Sequence, residues 1–154
     1  MSAPYPLMSA LRLNRVATMP GAIRGARTYS LVLDGPTLFV LEVGPAMGPR
    51  ARVGGIAQWL ADKMIARIQK RTDAKVEVGI ADLNVRGVEA VAKEKGSYRF
   101  APDEVTRCEM GTNGYGHPAL KLKTHARSFA FVSPPDGESD LRRFGDAVRA
   151  WSGV

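Results

Sequence analysis

Residues 28–43 constrain the fold more than any other stretch of this chain. Thr28-Tyr-Ser-Leu-Val-Leu33 and Pro36-Thr-Leu-Phe-Val-Leu-Glu-Val43 are two arms rich in β-branched and aromatic side chains, and Asp34-Gly35 lies between them. An Asp-Gly pair supplies the positive φ angles of a tight primed turn, so the stretch reads as a β-hairpin. Pro36 opens the second arm, where a missing N–H is tolerable.

The last third continues in the same style. Tyr98-Arg-Phe100 and Val105–Met110 read as strands joined by a turn over Ala101-Pro-Asp-Glu104. Leu120-Lys-Leu-Lys-Thr124 alternates, which puts Leu120 and Leu122 on the core and Lys121 and Lys123 in water. His125-Ala-Arg127 turns the chain back into Ser128–Val132, and an amphipathic helix with Leu141, Phe144, Val148 and Trp151 on one face closes the sequence. Between the hairpin and these strands, Gly44–Gly55 is a Gly/Pro connector and two helices follow. The first spans about 56–70, with Ile56, Trp59, Leu60, Met64, Ile65 and Ile68 on one face and Gln58, Asp62, Lys63, Arg67 and Lys70 on the other. Thr72 and Asp73 end it, and a short Val76-Glu-Val78 segment leads to a second helix over about 82–95. Asp82 can cap that helix and Gly87 weakens its middle. Residues 1–26, with Pro4, Pro6, Pro20, Gly21 and Gly25, read as a basic tail holding at most one short helix near 9–18. Antiparallel strands with grouped helices indicate an α+β fold in one domain over 27–154.

The chain has one cysteine, Cys108, so no internal disulfide forms and nothing points to an oxidising compartment. Cys108 reads as a small buried hydrophobe. No apolar run is long enough to span a membrane, and Arg12 and Arg15 interrupt the one apolar stretch near the start, so a cytoplasmic location is expected. The absence of acids before Asp34, alongside Arg12, Arg15, Arg24 and Arg27, also fits a transit segment. A net charge of +7 favours acidic partners: nucleic acid, anionic lipid or an acidic protein surface.

Chemistry is sparse. His117 and His125 flank a strand without a Cys-x-x-Cys, His-x-x-x-His or Asp-rich loop near them, so no metal site is expected. Gly111-Thr-Asn-Gly-Tyr-Gly116 precedes a strand and not a helix, so it is no phosphate loop. Asn113 and Tyr115 at its tip remain contact candidates. Asp103 and Glu104 are adjacent in a turn and cannot form a facing acid–base pair, and no serine sits in a nucleophile elbow. The residues therefore point to a binding module that uses no cofactor and carries no catalytic group.

Three surfaces could bind. Between Arg50 and Arg71 six cations stand against one acid, Asp62, a net of +5. With Lys63, Arg67, Lys70 and Arg71 beside Trp59, this is the pattern of an interfacial binder of anionic membranes. The plainer reading packs the apolar face on the sheet and leaves the charges solvated, which predicts that Trp59 and Trp151 are both buried. Lys121, Lys123 and Arg127, joined by Arg99 and Arg107, could instead make a nucleic-acid face. Association with a protein or peptide is the third option.

The stretch Tyr98–Trp151, taken with the hairpin Tyr29–Val43, resembles a bacterial pleckstrin-homology-like domain: strand, turn, strand, two hairpin strands and a closing amphipathic helix. The resemblance implies a strongly curved antiparallel sheet or partly open barrel, closed by the C-terminal helix, with the helices of about 55–95 as an insertion. It also implies a non-enzymatic module for protein or peptide association. Lipid-binding members cluster Lys and Arg at the first hairpin turn to hold inositol phosphates. Here that turn is Leu33-Asp34-Gly35-Pro36-Thr37, with one acid and no cation, which speaks against that ligand.

Overall fold

A computed structural model describes residues 11–18, 27–46, 55–112, 117–133 and 136–154. The hairpin is its organising element. Strand β2 (Arg27–Asp34) pairs antiparallel with β3 (Thr37–Pro45), with Asp34 opposite Thr37. The turn pair is therefore Gly35-Pro36 and not Asp34-Gly35. Gly35, at φ 56, takes the first central position. Four consecutive residues of β3, Leu38 to Leu41, are buried, so both faces of this strand are covered.

Residues 11–18, expected to hold a short helix, form strand β1 (Leu11–Thr18) beside β2. A bulge between Leu13 and Val16 breaks the two-residue alternation and turns Val16 into the core, where it is fully buried. Asn14 anchors the bulge: its Oδ1 accepts from the buried Ser30 Oγ at 2.6 Å and from Arg12 Nε at 2.9 Å. Because the bulge changes the spacing of Leu11, Leu13 and Val16, the segment does not read as a strand in the sequence.

The remaining strands are β4 (Tyr98–Phe100), β5 (Val105–Thr112), β6 (Pro118–Thr124) and β7 (Ser128–Val132). All pair antiparallel in one sheet of order β4-β3-β2-β1-β7-β6-β5. The sheet is open: β4 and β5 are its two edges, joined by a 3-10 turn over Pro102–Glu104. Side chains nevertheless meet across its inside. Phe129 of β7 lies edge-on to Tyr98 of β4 at 5.5 Å and to Phe100 at 6.2 Å.

Two hydrophobic cores result, one on each face. Inside, Val16, Leu31, Leu38, Val40, Leu120, Leu122 and Phe131 pack under helix α3 (Glu138–Ser152), which contributes Leu141, Phe144, Val148 and Trp151. The Trp151 indole N–H donates to the Gly35 carbonyl at 2.8 Å and fastens the end of α3 to the hairpin turn. The expected C-terminal amphipathic helix is present and packs its apolar side into this core, and Cys108, Leu120 and Leu122 are buried as expected.

Outside, Val32, Phe39, Leu41 and Val43 are covered by Val76 and Leu83 of helix α1 (Gly55–Arg86) and by Val91 and Ala92 of α2 (Val88–Ala92). Here the helices differ from expectation. Thr72-Asp73 does not stop the first one, and Val76-Glu-Val78 is helical. The chain runs as a single helix to Arg86, and Gly87, at φ 89, makes the break. Gly79 sets the approach of α1 to the sheet, since a Cβ there would lie 1.8 Å from the Val43 carbonyl oxygen.

Candidate association surface

Helix α1 has two unlike halves. From Val76 onward it rests on β3, and Arg12 Nη1 donates to Asn84 Oδ1 at 2.8 Å to hold β1 against it. Before Val76 no described side chain of α1 is buried. At 1.5 Å per residue, the stretch 59–75, none of whose described side chains is buried, runs for roughly 25 Å.

The expectation that Trp59 is buried is therefore overturned, while Trp151 is buried as expected. Trp59 is 57% exposed and Trp151 6%. Leu60, Met64 and Ile68 are also exposed, and the side chains of Ile56 and Ile65 lie outside the described residues. The division into an apolar and a charged face fails too. Lys63 Nζ lies 4.0 Å over the Trp59 ring, Arg71 falls between Leu60 and Met64 on the helix surface, and Arg67 lies beside Leu60. Cations and apolar side chains share one face. That face could not be buried on this domain's own sheet without burying unpaired charge. Among the described residues, Arg67, Lys70, Arg71 and Lys75 form no ion pair.

The exposed face continues from Ala74 into the anchored half. Ala74, Val78, Ala81 and Val85 are all exposed, Val78 at 70% and Val85 at 86%. With Leu60, Met64, Arg67 and Arg71 they form a row of steps four, three, four, three, four, three and four, which is the seam spacing of paired helices. Val76 and Leu83, which grip the sheet, lie on the opposite side. The sequence reading missed this row because Ala74 and Ala81 are small and Arg67 and Arg71 interrupt its apolar character. The four–three spacing itself was present in the sequence.

The strand-face candidates are less cohesive. Lys121 and Lys123 point outward from β6 as expected, opposite Glu109 and Arg107 of β5. Arg107 Nε is 2.8 Å from Glu109 Oε1, so an acid sits inside the patch. Arg127 stacks over Tyr98 at 4.4 Å, in a turn that Thr124 Oγ1 closes by accepting the Arg127 N–H at 3.0 Å. Arg99 belongs to the opposite sheet edge and pairs with Glu89 at 3.1 Å. No fully exposed aromatic interleaves these cations among the described residues, as base stacking would need. Asn113 and Tyr115 lie outside the described residues, as do Arg50 and Arg52.

Among the described residues, the side chains that could do chemistry do not gather in one place. The Cys108 thiol is buried, donates to the Gly145 carbonyl at 3.7 Å and is pushed up to about 11, chiefly by desolvation. His125 Nε2 lies 3.2 Å from the Asp103 carbonyl oxygen. Among the described residues no group of three His, Cys, Asp or Glu side chains could hold a metal, and no helix is long and apolar enough to cross a membrane. Comparison with family models, curated proteins and solved structures finds no match to this chain.

Proposed function

We propose that this chain is a non-enzymatic module of pleckstrin-homology-like architecture that associates with another protein helix through the uncovered face of α1. The antiparallel strand order and the C-terminal helix with Trp151 in its last turn support that architecture, in which α1 and α2 stand as an insertion between the third and fourth strands. The observation that carries the association reading is the exposed row from Leu60 to Val85. Helices pair through rows of this spacing, whereas a helical stretch such as 59–75, none of whose described side chains is buried, is marginal on its own in water.

A second reading, an anionic membrane bound through residues 56–71, has Lys63, Arg67, Lys70 and Arg71 beside exposed Trp59, Leu60 and Met64 in its favour. It accounts for only half of the row. Around Val78 and Val85 the acids Glu77 and Asp82 stand with Lys75 and Arg86, and Arg86 Nη1 lies 2.9 Å from Asp82 Oδ2, so no excess of positive charge draws anionic lipid or nucleic acid there. A photo-crosslinking amino acid placed at Val78 in the native chain separates these readings. The expected product is a discrete protein adduct whose crosslinked peptide is an amphipathic helix. Adducts to lipid or nucleic acid, or labelling no stronger than at a control position such as Lys121, would overturn the reading.

A further inference from the structure

We propose that the helix which α1 takes is α1 of a second copy of this chain, antiparallel, about a two-fold axis that crosses the helices between Thr72 and Asp73. This rests on the association reading and names its partner.

The argument comes from what each arrangement would place together. In a parallel pair every seam position meets itself, so Arg67 faces Arg67 and Arg71 faces Arg71. The flanking contacts are Lys70 with Lys75 and Glu77 with Asp82, all of like sign. The antiparallel register centred between Thr72 and Asp73 removes every one of these conflicts. Leu60 meets Val85 of the second copy, Met64 meets Ala81, Arg67 meets Val78 and Arg71 meets Ala74. All eight seam positions find a partner, and the two-fold repeats each layer. Three of the four layers set a long side chain against a smaller one, the complementarity that lets two helices approach closely. Lys70 meets Glu77 of the second copy, twice over.

Sliding the antiparallel pair by one heptad is worse in either direction. One shift brings Arg71 against Arg67 and Lys70 against Lys70. The other sets Glu77 against Glu77 and leaves Leu60 and Met64 without seam partners.

The two arginines fit only in this setting. Their stems lie over the small side chains Val78 and Ala74, and their heads run out toward the edge that carries Glu77 of the second copy. Sterically the pair is open, because each domain body sits on the Val76–Leu83 side, away from the seam. Each outer half of α1 then lies along the anchored half of the other copy, which supplies the burial that the described side chains of 59–75 lack.

The test uses the full chain. Sedimentation velocity is expected to show a dimer, and Ala81→Glu, which sets a carboxylate against Met64, to return it to monomer. Ala81 is exposed, so the domain itself is unaffected, and the buried Trp151 reports that it is folded. Lys70→Glu and Glu77→Lys are each expected to weaken the dimer by roughly tenfold, and the double exchange to restore it. In a parallel pair Lys70→Glu would instead strengthen association by facing Lys75. Under mild oxidation, the double variant Leu60→Cys and Val85→Cys is expected to form a covalent dimer while neither single variant does. The two sites are roughly 37 Å apart along one helix, so no bond can close within a chain.

A monomer at all concentrations, or a covalent dimer from Leu60→Cys alone, overturns the proposal. A monomer that still yields a helix adduct from position 78 overturns self-pairing and leaves the association reading standing. A monomer without such an adduct ends both.

Discussion

Helix α3 and the free half of α1 are built from similar materials and meet opposite fates. Each carries a tryptophan, spaced aliphatic side chains and several arginines or lysines. Helix α3 keeps Arg142, Arg143 and Arg149 off the side that bears Leu141, Phe144, Val148 and Trp151, so that side can leave water without taking charge along. In α1 the cations Lys63, Arg67 and Arg71 lie among Trp59, Leu60 and Met64. The cost of desolvating those charges exceeds the gain from burying the apolar atoms. Which face the charges occupy, and not how many apolar residues a helix contains, decides whether it joins the core.

The largest effect expected from this contrast lies in its two tryptophans. Trp151→Ala removes a buried side chain together with the hydrogen bond to the Gly35 carbonyl and is expected to cost about 3–5 kcal/mol. Trp59→Ala removes an exposed side chain that lies under Lys63 and outside the seam, so a change below about 0.5 kcal/mol is expected. Urea denaturation of the two variants measures both. Equal losses would mean that Trp59 is packed after all and that the contrast between the helices is false.

A smaller effect separates the two halves of α1. Gly79→Ala forces a methyl group into the Val43 backbone carbonyl and lifts the anchored half from β3, for about 1–3 kcal/mol. In the free half Ala66 carries such a methyl group exposed to solvent. Loss of protection at β3 amides in hydrogen exchange, with β6 unchanged, would localise the damage to the outer core. An unchanged stability would show that α1 is not seated on Val43.

How much of this was legible in the sequence follows from the same physics. The β2–β3 hairpin and α3 could be read because each presents a single period to a single core. Strand β1 could not, since the bulge at Asn14 converts a spacing of two into a spacing that fits neither strand nor helix. In the sequence Thr72-Asp73 suggests a helix end and Gly87 only a weakened interior, yet α1 runs through the first and stops at the second, where Gly87 takes a positive φ. For the candidate site, the cations Lys63, Arg67, Lys70 and Arg71 were found but assigned to the wrong face. The small half of the seam, Ala74 and Ala81, gives no signal to a search for large apolar side chains.

The smallest effect belongs to the inner core and has a definite pH window. Cys108 lies under α3, its thiol directed at the Gly145 carbonyl, and burial raises it from the ordinary value of 9.0 to about 11. The charge of Arg149 opposes that shift, and Asp146 and Glu109 reinforce it. A thiol whose folded value is the higher one stabilises the fold fully at neutral pH. As the pH rises past 9 the unfolded chain ionises this group and the folded chain does not, so stability falls by about 1.4 kcal/mol per pH unit until the folded value is reached. Lysines and tyrosines titrate in the same range, so the measurement is the difference between the native chain and Cys108→Ala. The two denaturation curves are expected to keep a constant offset up to pH 9 and to converge above it, by about 1 kcal/mol at pH 10. Curves that stay parallel through pH 10.5 would mean that water reaches the thiol, and that α3 covers the inner face less completely than its exposure pattern indicates.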